Sequence, residues 1–532
     1  MESIDPMLTG PRRSTFRRAA AVATLLPLLS SAACAQSSWV HLGARGRLVY
    51  RTTRRGDRIP DFSSCGYRGG GVALPDAPRQ ITLTPGHLGD DTPQIQAAID
   101  KAGRLPVGAN GIHGAVVLAP GTYSILGTLQ MRRSGVVLRG SGRAGAQASL
   151  LELSGAPHLA INITGEFHQH ELSAPTWLAD RYVPAGAIVI HVADASGIRP
   201  GDTLEILKPV TPAWVHFMRM DHLMRYGKPE TWVKNNNIRV LRRVASVNGN
   251  AVRLEVPLTD SFDARFYTEQ AAAVTRVAIA GRIAEIGVED LDIVAPPRTL
   301  RQGIDPEFNG IFFDNVVDAW VRSVTVENTV TAVRIQREAE RLTVEDVDVP
   351  SQANVISMAR DGVFLVVGTQ ILIDRSYATG HKLAYVQTEA QSEGPVVVLH
   401  CHFSGNGKVE PHQRWSTGFL VDSSDMGDGD LCLRNRGEMG SGHGWTTGWS
   451  VSWNNTAHSF LVQNPPAALN WSIGDIGNQR TASMPVFDAS KQPTLPQGVV
   501  ESSGTHVEPA SLYLEQLRER LGPQAVAAIG YP

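Results

Sequence analysis

The chain has almost no net charge, few cysteines and no obvious membrane-spanning run, and each shortage removes a class of function. Lysine and arginine number 49 against 51 aspartates and glutamates, with no long run of one sign. Nucleic acid and anionic membrane surfaces are bound by concentrated positive fields, so neither has electrostatic support as a partner. Four cysteines occur in 532 residues: Cys34, Cys65, Cys401 and Cys432. None has metal-ligand spacing. Cys401 and Cys432 pair only if the fold brings them together, and small buried hydrophobes are the simpler reading. The apolar stretch 19–33 is 15 residues long, too short to span a bilayer comfortably.

That stretch belongs to an export signal. Arg12, Arg13, Arg17 and Arg18 form its basic region, and Ala33-Cys34-Ala35 supplies small residues for cleavage ahead of Gln36. The arginine pair points to the twin-arginine route, although one residue more than usual separates it from Phe16. Cys34 is a poor lipid-attachment site, because Ser31 stands where leucine is preferred. Soluble export, periplasmic or secreted, is therefore favoured over a lipoprotein anchor. By length the chain can hold two to four domains, and with 42% hydrophobic residues it can bury a large core. Its 51 glycines, with Asn and Asp between short β-branched runs, are the texture of many short strands joined by tight turns.

One pattern recurs: apolar, two residues, apolar, one residue, apolar. It appears at Val288, Leu291, Ile293; at Val321, Val324, Val326; and at Val344, Val347, Val349. Weaker copies stand at Ile373, Ser376, Ala378 and at Val398, Cys401, Phe403. The starts are 33, 23, 29 and 25 residues apart. A helical solenoid would carry longer apolar runs at helical spacing. These brief runs predict a β-solenoid, whose stacked coils bury a face that one coil alone cannot. A β-sandwich with accidental regularity is the alternative.

Upstream, Gly89-Asp90-Asp91-Thr92 precedes an apolar helical pattern at Ile95, Ala98 and Ile99, with Thr92 as the expected N-cap and Pro93 at the first helical position. A strand at Ala115-Val116-Val117-Leu118, the turn Pro120-Gly121-Thr122-Tyr123 and a strand at Val136-Val137-Leu138 ending in Arg139-Gly140 follow. This order resembles the opening of the pectate-lyase-like superfamily of right-handed parallel β-helices, over residues 80–145 by motif and 280–460 by repeat texture. The resemblance implies an all-β solenoid whose open N-terminal end is capped by the helix. The superfamily includes lyases, hydrolases, epimerases and phage tailspikes, so the chemistry has to come from the site.

The rhythm breaks over residues 166–278. Asn248-Gly249 there reads as a hairpin turn, and the loop Trp214-Val215-His216-Phe217-Met218-Arg219-Met220-Asp221-His222 is rich in aromatic and titratable groups. Leu512, Leu514, Leu517 and Leu521 recur at helical spacing, predicting an amphipathic C-terminal helix packed on the body, at the last coil. The expected organisation is an export signal (1–35), an irregular N-terminal wrap (36–80), a cap with the first coils (81–165), a β insertion (166–278), further coils carrying the site (279–490), and a tail with its helix (491–532).

The densest polar stretch is 409–453. It holds Glu410, His412, Arg414, Trp415, Asp422, Arg434, Arg436, His443 and Trp445. His412, Arg414, His443, Arg436 and Asp422 are the candidate catalytic residues. Trp415, Trp445 and Trp214 are read as platforms for sugar rings, with Asp221 and His222 as further substrate contacts. Arginine forks suit carboxylates. Arg434 and Arg436 alternate, so on a strand only one faces a cleft. His-Gln-Arg-Trp and Gly-His-Gly-Trp also resemble a pattern of secreted members of the superfamily, whereas the calcium-binding aspartates of pectate lyases match at no position.

Two reactions fit a polysaccharide substrate. In β-elimination, His412 or His443 removes the proton beside a uronate carboxylate that Arg414 or Arg436 neutralises. Hydrolysis instead needs two carboxylates, from among Glu389, Glu410, Asp422, Asp425 and Glu438. Elimination is favoured, and a non-catalytic glycan-binding or structural solenoid is the third reading. No cofactor is called for. Calcium bridged between a uronate and aspartates of different coils would leave no local motif, so the metal is open.

Overall fold

The computed structural model describes residues 35–532 except 87–88, 235–236, 268–271, 356–361, 382–383 and 489–491. The expected export signal, with Cys34, lies outside the described residues. Among those described, no helix is long and apolar enough to cross a membrane.

The chain folds as a right-handed parallel β-helix. Its strands stack coil upon coil in parallel register: Val288 faces Val321, then Val344, Ile373, Val398 and Val421. Leu291, Val324 and Val347 form a second inward ladder. All belong to one apolar core running along the solenoid. Each coil buries its neighbours' valines, so removing a ladder residue is felt on both sides.

The repeat now has a physical meaning. Its two-residue spacer is a corner, and the second spacer residue adopts a left-handed backbone. Asp290, Ser323, Asp346, Arg375, His400 and Ser423 have φ between 45° and 57°. One left-handed residue turns the strand from one sheet into the next without a loop. The weaker copies are explained too. Ser376 and Ser424 occupy the position of Leu291 with hydroxyls that cap backbone groups: Ser376 Oγ accepts from Val347 N, and Ser424 Oγ from Cys401 N. Cys401 fits between them as a small buried residue. Cys65, Cys401 and Cys432 are all free buried thiols.

The capping helix spans Thr92–Ala102 and lays Ile95, Ala98, Ile99 and Ala102 on the first coils. Its N-cap is Asp91 rather than Thr92. The Asp91 carboxylate accepts from Gly86 N and Ser124 N, and the Thr92 hydroxyl accepts from Leu126 N, so both tie the helix to the first coil instead of closing its own first turn.

Strands between His168 and Ala280 form an antiparallel sheet beside the coils, including the hairpin that closes at Asn248 and Ala251. The C-terminal helix Leu512–Leu521 is amphipathic as expected, but it lies along the flank of the middle coils, not over the last one. Ser511 Oγ and Tyr513 N donate to Asp422, Tyr513 Oη donates to the Cys65 carbonyl, and Arg375 donates to the Ile529 carbonyl. The N-terminal segment packs between the helix and the coils, with Phe62 N donating to Gln516 Oε1. The helix and the N-terminal segment share one apolar cluster with Leu372, Val397, Leu399 and Leu420 on the flank of the coils. Burying that long face removes more apolar surface from water than capping one coil end.

Candidate functional site

The polar stretch is assembled by the solenoid register. Val386 pairs with Val409 and Val409 with Leu431 on consecutive parallel strands. Three residues beyond each stand Glu389, His412 and Arg434, so residues one coil apart become neighbours. On the return side, Arg414 N donates to the His443 carbonyl, and Trp415 N to that of Trp445.

Glu389 and His412 form a carboxylate–imidazole pair, with Nδ1 of His412 2.5 Å from Oε1. The other Glu389 oxygen accepts from Gln413 Nε2 at 2.8 Å. Burial works against ionising Glu389, yet the His412 and Gln413 contacts hold its carboxyl down at about 2. The Glu389 carboxylate holds the His412 ring by Nδ1, so Nε2 is the ring nitrogen left for other contacts. The His412 side chain is 21% exposed.

His443 stands across from it, the two rings 4.7 Å apart and nearly perpendicular. Burial, then the nearby Arg436 and the other cations, press the His443 imidazole down to about 3. It is neutral at ordinary pH. Arg414 donates to Gln413 Oε1 at 2.9 Å and to Ser441 Oγ at 2.7 Å, and Arg436 donates to the His412 carbonyl at 3.0 Å. Arg414 Nε, Arg436 Nε and His443 Nδ1 are buried without a hydrogen-bond partner among the described residues. Such atoms are costly, and these three lie around one histidine pair.

Arg434 and Arg436 do not diverge, because both follow the strand Asp430–Leu433 and lie in its turn. Both reach Glu410: Arg434 Nε at 2.6 Å and Arg436 Nη1 at 3.9 Å. Burial opposes the Glu410 charge, but these arginines hold its carboxyl at about 2.

Other expected site residues lie elsewhere. Asp422 is fully buried under the C-terminal helix, where burial lifts its carboxyl to about 7. Trp214, Trp415 and Trp445 are buried, so no ring face is open to a sugar. Trp415 Nε1 donates to Asp260, and Trp445 Nε1 to the Met218 carbonyl. The rings of Trp214 and Trp415 flank an ion pair between Lys208 and Asp260, both in the insertion, and the bond from Trp415 to Asp260 joins the insertion to the coils. Asp221 and His222 are exposed on the insertion loop, beside His216. That loop does border the histidine pair. Met224 N donates to Glu438, and Trp232 Nε1 to the Trp445 carbonyl.

Sequence reasoning placed Glu389 only among the carboxylates for hydrolysis and missed it as the partner of His412. The signal was present: 23 residues separate them, the shortest spacing of the repeat starts. Lys208, Asp260 and Trp232 carried no such signal, since their meeting depends on how the insertion folds back.

No protein-family model matches the chain, and no curated protein matches its sequence. Among solved structures it is similar to the tailspike protein gp49 of Pseudomonas phage LKA1 (14% identity, 73% of this chain and 69% of that one, TM-score 0.41). It is similar also to the tailspike gp61 of Pseudomonas phage phi297 (13% identity, 78% and 73%, TM-score 0.40). A third is PfbA, a surface adhesin of Streptococcus pneumoniae (11% identity, 76% and 80%, TM-score 0.41). Identity at this level carries no chemistry across.

Proposed function

We propose that this protein is an exported enzyme of the pectate-lyase-like kind that cleaves a uronic-acid-containing polysaccharide by β-elimination, with His412 as its base. The observation that carries the reading is the Glu389–His412 pair, with the His443 ring 4.7 Å from that of His412 and two arginines with unpartnered nitrogens in the same stretch. His412 takes the proton from the carbon beside the uronate carboxylate. The electrons left behind form the new double bond, the bond to the glycosidic oxygen breaks, and that oxygen takes a proton from solvent water, while His412 gives its proton back to solvent. Arg414 and Arg436 hold the carboxylate and offset the charge that builds on it. His443, held near 3, is a poor base at neutral pH and serves as a hydrogen-bond donor.

Hydrolysis fits less well. A hydrolytic acid carries a proton at working pH, and Glu389 and Glu410 are both held at about 2. Asp422, at about 7, has the right protonation but no access to substrate.

The test is to incubate the mature protein with plant, algal and bacterial polysaccharides, following ultraviolet absorbance of the unsaturated product along with reducing ends. New absorbance supports elimination. Reducing ends without it mean hydrolysis, and binding without either means a glycan-binding solenoid. The same preparation checks export: its N-terminus should read from Gln36, and one beginning ahead of Ala33 would refute the signal.

A further inference from the structure

The loop that borders the histidine pair carries a second cluster on its outer side. The short helix Pro212–Phe217 is capped by Thr211, whose hydroxyl accepts from Trp214 N. The chain then reverses at Arg219, which has a left-handed backbone at φ 58°, and Met220 N donates to the Val215 carbonyl. The reversal divides the loop into two faces. Trp214, Met218, Met220 and Leu223 point inward and are buried. His216, Asp221 and His222 point outward, and their ligand atoms all lie within 4.8 Å of one another.

We infer that His216, Asp221 and His222 form a binding site for a divalent transition ion of the zinc class, distinct from the glycan site. The donor set is two imidazoles and one carboxylate, which suits zinc or copper and not the all-oxygen shell that calcium takes. The geometry is nearly in place. His216 Nδ1 is 2.6 Å and His222 Nε2 3.5 Å from the same Asp221 oxygen. Metal–ligand bonds of about 2.0–2.2 Å in a tetrahedron put ligand atoms about 3.3 Å apart, so small side-chain rotations complete the site. Both histidines are free to make them, with side chains 76% and 86% exposed. Three protein ligands leave the fourth position to water.

The ion would hold the loop in the folded-back form seen here. The inner face of that form is fastened to the turn bearing His443: the Met218 carbonyl accepts from Trp445 Nε1, and the Met220 sulfur sits against Gly444. Metal binding on the outside therefore steadies one wall of the candidate site without touching substrate.

The test uses the full mature protein without an affinity tag. Calorimetric titration with zinc should show about one ion per chain, and calcium should give no comparable binding. His216→Ala and His222→Ala should each weaken zinc binding at least tenfold. Amide exchange at Met218 and Met220 should slow on adding zinc, and should not in the double variant. Both side chains are exposed, so circular dichroism should show an unchanged fold. Zinc binding that survives in the double variant, no binding at all, or a preference for calcium would each overturn the inference. None of these readouts depends on whether the protein cleaves a glycan.

Discussion

Two carboxylates on two sides of the same coils, Glu389 half-buried and Asp422 fully buried, have opposite fates. Glu389, at the edge that carries His412, is held down at about 2, while Asp422, on the flank under the C-terminal helix, is lifted to about 7. Both groups are desolvated, and burial acts on them in the same direction. Glu389 meets the His412 imidazole and the Gln413 amide. Asp422 meets only hydroxyls and backbone N–H groups from Ser511, Ser423 and Tyr513. The solenoid supplies equivalent positions all round its circumference, and what packs on each side decides whether a polar residue becomes chemistry or scaffold.

The largest expected effect separates the two sides by activity. His412→Ala should lower the rate of folded molecules about 10²–10⁴-fold in a cleavage assay, with circular dichroism showing the β-helix retained. An active His412→Ala variant would make the edge as structural as the flank. Next in size, Leu517→Ala on the helix side should cost about 2–5 kcal/mol in denaturant unfolding and leave the activity of folded molecules intact. Loss of turnover there at full folding would mean that the flank takes part in the reaction.

The pH dependence sharpens the contrast, because the signs are opposite. Glu389, lowered from 4.5 to about 2, contributes stability above pH 4.5 that is lost as pH falls through 2. Asp422, raised from 3.8 to about 7, contributes stability below pH 3.8 that is lost as pH rises through 7. Asp422→Asn should therefore match the parent at pH 4 and melt higher than it at pH 8, whereas Glu389→Gln should remove part of the acid-side loss. Parallel melting curves of parent and variant across both windows would refute the two assignments. The smallest effect concerns the buried ring. Trp445→Phe gives up one hydrogen bond to the Met218 carbonyl, so it should cost about 0.5–1.5 kcal/mol and leave glycan affinity unaltered. A large loss of affinity in that variant would restore Trp445 as a sugar platform.

The valine ladder was legible in the sequence down to its register, because a strand face buried against identical neighbours tolerates only β-branched or small residues at fixed intervals. The corner residues were visible as a two-residue spacer, though not their left-handed backbone. The pairing of His412 with His443 followed from coil length, and that of Glu389 with His412 was equally available there. The burial of Trp214, Trp415 and Trp445 was not, because an aromatic residue reads the same whether solvent or an insertion loop covers it. Nor was the position of the C-terminal helix: its apolar stripe demanded a partner without naming which.

Periodic local information thus determined the coils, their order and the edge on which the polar stretch stands, since each coil needs only its neighbours. The choice of which polar groups are charged, covered or left open was made by segments distant in the chain, the insertion loop at Met218–Trp232 and the helix at Leu512–Leu521, folding onto two sides of those coils. Protonation depends on what surrounds a group in space, and that environment exists only once the distant segments have packed.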